Sequence, residues 1–354
     1  MKIGNIDIGK KLFLAPMAEI TDSSFRKICK EHGAGFTFTQ MVSAAGVVNN
    51  NFETLRNLSF HISEKPIGVQ ILGNDPIVIG EAVKEISKLK PDLIDLNSGC
   101  PVEKVTSNLM GAALLDDPIR IGKIVASMVK NSGGIPISVK IRLGKNHKKI
   151  NVIEVAKSIE DNGASIIFIH ARTREEKYDS EPHWEWIRKV KENVNIPVVG
   201  NGSLFNPEDI CQMFKETNCD SAMIARGAIG NPFIFERYNS LIETGIDPGE
   251  PSIDLIRKVL LKQIDLLKEE YGEIKCIDKV KKNIIWYFRN FQGIEELMEK
   301  VFSQQDLNSL KILIDEHTEK IQYDFYKSQC NYIINAKFKK KVLFWLKNDY
   351  ETIG

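Results

Sequence analysis

Eight short apolar runs, most of them separated by a helix-length amphipathic stretch, constrain the fold of this chain more than any other feature. They read KLFLAP, FTFTQ, PIGVQIL, LIDLN, PISVKI, SIIFIH, IPVVGN and DSAMIA. Each is nearly continuous in apolar character, as strands covered on both faces are. The intervening stretches include DPIVIGEAVKEISKLK, DPIRIGKIVASMVKN and NPEDICQMFKET. Their Asp-Pro and Asn-Pro openings are helix-start signals. Strand–helix alternation repeated eight times predicts an α/β fold of the (β/α)8, or TIM-barrel, type. An open doubly wound sheet is the competing arrangement. However, no GxGxxG opens the first βα turn, and eight units close a barrel.

The pattern changes near residue 240. Beyond it, IDLIRKVLLKQIDLLKEEY and IKCIDKVKKNIIWYFRNF carry apolar residues at three/four spacing, a helical signature. GIDPGEPS reads as the linker. The expected organisation is a catalytic barrel over 1–240 and a helical domain over 241–354, whose tail from about 318 also reads helical. Hydrophobic and charged contents of 43% and 27% are those of a globular soluble chain. No apolar run nears the roughly 20 residues that span a bilayer. MKIGNIDIGKKLFLAP lacks the pattern of a secretory signal, so a cytoplasmic protein is expected. Net charge is +1, which excludes a global basic field and leaves any polyanion to local patches. The six cysteines, at 29, 100, 211, 219, 276 and 330, include no CxxC pair. Cys211 and Cys219 match no zinc template, so neither a metal site nor disulfides are expected.

Active sites of such barrels lie at the C-terminal ends of the strands. The polar residues there form a coherent set. The first run ends at Ala15, Pro16 and Met17, the third at Gln70, and the fourth at Asn97, running on into Cys100. The fifth carries Lys140 and Arg142, and the sixth ends at His170, followed by Arg172 and Arg174. The seventh ends in Gly-Asn-Gly (200–202) with Ser203 following, and the eighth in Ala225, Arg226 and Gly227. Lysine is seldom fully buried without a partner, so Lys140 in an apolar run points to an anionic or electron-rich ligand. A surface-edge lysine and a core histidine are the plain alternatives for Lys140 and His170. Glycine turns after the seventh and eighth strands let backbone amides approach phosphate oxygens. Flavin mononucleotide (FMN) fits this pattern, with its phosphate at strands seven and eight, Lys140 against the reduced ring and Gln70 at the ring's polar edge.

These residues are similar to those of a known family. LAPMAEITDSSFRKICKEHGAG, PIGVQILGNDP, IDLNSGCPVEKV with GAALL, VKIRLG, IHARTR, GNGS and ARGAIGNPFIF resemble, in order, the tRNA-dihydrouridine synthases, most closely the bacterial B type. The resemblance implies an oxidoreductase that reduces the C5–C6 bond of a D-loop uridine in tRNA, using FMN and NADPH. It implies hydride delivery to C6 and protonation of C5 by Cys100. Ala15, Pro16, Met17, Gln70, Lys140, His170, Asn201, Gly202, Ser203, Ala225, Arg226 and Gly227 would hold flavin. Asn97, Arg142, Arg172 and Tyr178 would hold the uridine. KVKKNIIWYFRNF resembles the family's RNA-binding motif, whose Arg-Lys-His triplet is here Lys281, Lys282 and Asn283. Lys279, Lys281, Lys282 and Arg289, with Lys275, would contact tRNA phosphates, and the run Lys337, Lys339, Lys340, Lys341 and Lys347 is a second candidate. A monomer without membrane or metal is expected.

The thiol chemistry agrees. Hydride at C6 puts carbanion character on C5, and an ordinary thiol, with pKa near 8.5, is still protonated at neutral pH and can donate there. Two other readings compete. One is a flavin barrel acting on a small molecule, such as a dihydroorotate dehydrogenase-like enzyme or an ene reductase. The other is a catalytically dead RNA-binding protein on an enzyme scaffold.

Overall fold

The structure, a computed structural model, describes residues 1–291 and 293–321. The expected tail helix, the basic run from Lys337 to Lys347 and Cys330 lie outside the described residues. The chain forms two compact units. One comprises Met1–Ala228 and Ile234–Asp247; the other comprises Ile229–Phe233 and the chain from Pro248. They divide between Asp247 and Pro248, within GIDPGEPS, whereas residue 240 lies inside the helix Ile234–Thr244.

In the first unit all eight apolar runs form strands: β1 (Phe13–Leu14), β2 (Thr37–Phe38), β3 (Ile67–Leu72), β4 (Leu93–Ser98), β5 (Ile137–Ile141), β6 (Ile166–His170), β7 (Val198–Asn201) and β8 (Ser221–Ile224). Their order is β1-β8-β7-β6-β5-β4-β3-β2, and every neighbouring pair is parallel. A bridge between Phe13 and Phe36 closes the ring, supported by bonds from Leu14 N to Phe36 O (2.8 Å) and Gly35 N to Leu12 O (2.9 Å). Closure removes the exposed edges that an open sheet would leave unpaired. The Asp-Pro and Asn-Pro signals mark real helix starts. Asp75 caps Pro76–Ser87, Asp117 caps Pro118–Asn131 and Asn206 caps Pro207–Thr217, each with its side chain accepting amide bonds from the first turn.

The barrel interior changes from apolar to polar along the strands. Phe13, Phe36, Phe38 and Phe168 pack with ring centroids 5.1 to 6.5 Å apart. Gly68 makes room for them, because a Cβ there would lie 2.4 Å from the Phe38 ring. Two residues on, Gln70 stands opposite Asp95, and Asp95 opposite Ser138. Asn97 then stands opposite Lys140. The polarity rises toward the strand C-termini, where the site lies.

The second unit is helical through Ile253–Tyr271, Ile277–Phe288, Ile294–Ser303 and Leu307–Lys320. A buried amide chain ties the first two together: Tyr287 OH donates to Gln263 Oε1 (2.8 Å), and Gln263 Nε2 donates to Asn283 Oδ1 (3.1 Å). Among the described residues, no helix is long and apolar enough to cross a membrane.

Candidate active site

Asn97, the last inward residue of β4, organises the NSGCP turn. Its Oδ1 accepts from the amides of Gly99 (3.1 Å) and Cys100 (2.9 Å), while its Nδ2 donates to Gln70 Oε1 (2.9 Å). The family resemblance implies that Asn97 holds the substrate base. Here most of its bonding capacity is committed to the turn. Arg142 closes the other side, donating from Nε to Gly99 O (3.0 Å) and from Nη1 to Thr173 O (2.7 Å). Gly111 packs behind: at φ +58° it needs no Cβ, and a Cβ would fall 2.7 Å from Cys100 O and 3.1 Å from Cys100 Cβ. Gly111→Ala is therefore expected to shift the Cys100 turn. Turnover should fall by roughly tenfold or more, with a melting temperature lowered by a few degrees. Steady-state kinetics beside a thermal melt checks this, and unchanged kinetics would detach the turn from Gly111.

Burial raises the Cys100 pKa above its ordinary value, against the lowering pull of the Val102 amide and of the Arg142 and Lys140 charges. The thiol stays protonated at neutral pH. Lys140 is pushed the other way. Burial and the neighbouring Arg142 lower it to about 8, against the attraction of Asp95 and Cys100. Among the described residues its ammonium makes no hydrogen bond or ion pair. Asp95, 1% exposed, is the residue that sequence reasoning missed. Burial raises it to about 6, while bonds from Ser138 Oγ (2.6 Å) and Gln70 Nε2 (2.7 Å) and the Lys140 charge oppose that rise. A carboxylate among the apolar residues of LIDL was the available signal.

His170 ends β6. Burial, then the charges of Arg142, Lys140, Arg172 and Arg226, hold its pKa well below the ordinary value, so the ring is neutral. Arg172 Nη1 lies 3.2 Å from His170 Nε2, which makes Nε2 the acceptor and leaves the proton on Nδ1. Tyr178 stacks on His170 (centroids 5.9 Å apart, 17°). The Arg142 and Arg226 guanidiniums lie 5.5 and 5.1 Å from the Tyr178 ring. Tyr178 is thus brought to the same cluster although it sits on a loop.

Arg172 goes with the turn after β7. Its Nη2 donates to Ser203 Oγ (2.8 Å) and its Nε to Ser180 O (3.1 Å), and burial followed by repulsion from Arg226 and Arg142 lowers it to about 10. Gly202, at φ +144°, and Ser203, at φ +53°, form that turn, with Trp184 Nε1 donating to Gly202 O (3.0 Å). Gly227 permits close backbone packing, as a Cβ would lie 2.1 Å from Leu204 O. Asn201 Nδ2 donates to Met223 O (2.7 Å), tying β7 to β8. The run Ala15-Pro16-Met17 continues β1, with Ala15 N donating to Ile224 O (2.8 Å) and Met17 N to Thr21 Oγ1 (3.0 Å). Ala225 and Arg226 follow directly on β8. The C-terminal strand ends bring together Lys140, Arg142, Arg172 and Arg226, mutually repelling cations of which Arg142 and Arg172 are 1% exposed, with Asp95 and Glu176 as nearby carboxylates. Such a concentration of positive charge favours an anionic ligand.

In the helical unit Lys275 is exposed, and Lys279, Lys282 and Arg289 are partly exposed. Lys279 lies 4.8 Å from the Tyr271 ring. Lys281 differs from the expectation of a solvent-facing cation. It is 7% exposed, and its ammonium lies 3.4 Å from Phe302 O, so it faces the unit's interior. Asn283 also faces inward, bonded to Gln263.

The profile of the family described as Dihydrouridine synthase (Dus) matches residues 13–322. Among curated proteins, the chain is 36% identical over 292 residues to tRNA-dihydrouridine synthase B of Pasteurella multocida, covering 82% of this chain and 88% of that one. It is 33% identical over 315 residues to the probable tRNA-dihydrouridine synthase of Aquifex aeolicus, covering 88% and 96%. Among solved structures, TcOYE with pHBA is similar at TM-score 0.52 and 12% identity, covering 68% of this chain and 91% of that one. Histamine dehydrogenase from Rhizobium sp. 4-9 is similar at TM-score 0.52 and 15% identity, covering 80% and 50%. These two likenesses concern the fold alone.

Proposed function

The chain belongs to the dihydrouridine synthase family, and from that premise we propose that it reduces a D-loop uridine of tRNA to 5,6-dihydrouridine. The observation that carries the reading is the Cys100 turn, held by Asn97 and Arg142 beside the buried cation of Lys140, with burial keeping the thiol's pKa raised. The relatives named above are tRNA-dihydrouridine synthases by name. FMN, reduced by NADPH, supplies the hydride for C6 when bound. Lys140 and the Nδ1 proton of neutral His170 would hold its ring, with Ala15, Pro16 and Met17 at the strand 1 turn. Arg172, Arg226 and the turns at Asn201, Gly202, Ser203, Ala225 and Gly227 would hold its phosphate. This assigns Arg172 to the cofactor on account of its bond to Ser203.

Cys100 donates its proton to C5 from a position fixed by the turn. Asn97 and Gln70 act by positioning, because their amides already bond to the turn, to each other and to Asp95. Tyr178, stacked on His170, would flank the uracil, and Arg142 orients both the Cys100 turn and Tyr178. A loop uridine can be splayed out of the RNA at modest cost. Lys275, Lys279, Lys282 and Arg289 would hold tRNA phosphates. Substituting Lys279, Lys282 and Arg289 by alanine together is expected to raise the KM for tRNA by roughly tenfold and to flatten its salt dependence. Flavin reduction by NADPH should be unchanged. A KM that does not move would remove this helix from RNA contact.

The reading is tested with purified protein, FMN, NADPH and unmodified tRNA transcript. Dihydrouridine at D-loop positions is the expected product. Protein that remains colourless after FMN is added would overturn it. Turnover of free uridine or orotate matching that of tRNA would favour the small-molecule reductase instead.

A further inference from the structure

His147, Glu176 and His183 lie on two different loops of the barrel unit. His147 sits at the tip of the hairpin formed by Gly144–Asn146 and Lys149–Ile150, after β5. Glu176 and His183 sit on the connection after β6. Among the described residues, these three bring one ligand atom each within 4.8 Å of one another. His183 Nε2 is 2.9 Å and His147 Nε2 is 3.4 Å from the same oxygen, Glu176 Oε1. Bonds of about 2.0–2.1 Å in a tetrahedral zinc site put neighbouring ligand atoms roughly 3.3–3.5 Å apart, so closing around an ion would need a side-chain shift on the order of 1 Å.

The arrangement is held in place before any ion arrives. Arg174 N donates to Gly144 O (2.8 Å), Glu175 N to Lys145 O (3.1 Å) and Asn146 Nδ2 to Glu175 Oε2 (3.0 Å), which fixes the hairpin against the loop. Thr173 N donates to Glu176 Oε2 (2.6 Å), turning Oε1 toward the two imidazoles. The Glu185 carboxylate lies 3.7 Å from His183 Nδ1, near enough to add negative charge beside the ring but too far for a hydrogen bond. His147 and His183 meet edge to face with centroids 5.0 Å apart, and both Nε2 atoms approach Glu176 Oε1. His147 is exposed, so the site opens to solvent and leaves coordination positions for water.

We propose that His147, Glu176 and His183 form a binding site for one divalent transition-metal ion, zinc being the natural occupant of two imidazoles and a carboxylate. The ion would clamp the hairpin to the loop that carries Tyr178 and Arg172. It would order the rim of the active site without taking part in the reaction.

The test uses the full chain, freed of metal with EDTA and dialysed. Zinc titration followed by elemental analysis should find one ion per chain. His147→Ala and His183→Ala should each weaken binding by roughly tenfold or more. His147 is exposed, so its variant keeps the fold, and a thermal melt confirms that. Hydrogen exchange at 144–150 should slow on adding zinc to the wild type but not to His147→Ala. Cobalt substitution separates this site from the thiols of Cys100 and Cys211, since nitrogen and oxygen ligands give no thiolate charge-transfer band. Three results would overturn the proposal: no zinc in the wild type, equal zinc in both histidine variants, or a thiolate band with cobalt.

Discussion

Replacing Cys100 by alanine is expected to abolish nearly all dihydrouridine formation while leaving flavin binding intact. In the proposed reaction the thiol is the proton source for C5, and a positioned general acid contributes about a hundred- to ten-thousandfold. The Cys100 backbone stays held, because Asn97 Oδ1 takes its amide and Ala112 N donates to its carbonyl (2.9 Å). The cavity left is that of one sulfur, so folding should be preserved. Flavin absorbance after gel filtration should match the wild type, and NADPH should still bleach it. Reoxidation by tRNA should fail. The raised thiol pKa sets a pH signature as well. Wild-type turnover should be flat through neutral pH and fall only in the alkaline range where the proton is lost. Near-normal turnover of Cys100→Ala would remove Cys100 from the acid role.

Lys140→Met should separate stability from function. The ammonium is desolvated and has no bonded partner among the described residues, and its pKa falls from 10.5 to about 8. A folded-state value below the unfolded one means that the charged form destabilises the native chain. Below about pH 8 both states carry the charge, so the penalty is complete. Between about 8 and 10.5 the native lysine loses its proton first, and wild-type stability rises with pH. Methionine removes the penalty at every pH. Lys140→Met, stripped of flavin, should therefore melt several degrees above the wild type at pH 7, a gain of order 2 kcal/mol after screening at the mouth. That gain should vanish as pH approaches 10.5. The same variant should bind FMN about ten- to a hundredfold more weakly, as expected when one charge-assisted contact is lost. A variant that melts no higher at pH 7, or that keeps full flavin affinity, would contradict this account.

The barrel was legible because its determinants are local. Apolar runs of strand length and Asp-Pro helix starts each occupy a few adjacent residues, and all eight runs are strands in the structure. The strand-end residues were legible for the same reason, since the fold places successive strand ends around one mouth. What each side chain bonds to was not. Asn97 and Arg142 read as residues for the substrate base, yet they hold the Cys100 turn across 3 and 43 residues of sequence. Arg172 reads as a substrate residue and bonds to Ser203, 31 residues away. Lys281 reads as one of a row of cations, but the helix turns it inward.

The sequence by itself determined the closed parallel barrel and the helical segment that follows it, and its family resemblance singled out the NSGCP cysteine as the candidate acid. Periodicity and turn chemistry are properties of neighbouring residues, and they survive reading in one dimension. Only the tertiary structure decided the partners. It put Asp95 under Gln70 and Ser138, left Lys140 without a bonded neighbour among the described residues, and brought His147, Glu176 and His183 close together. These groups come from different strands and loops. Their pKa values and ligand geometry depend on burial and on distances of a few ångströms, which arise only when the ring of strands closes.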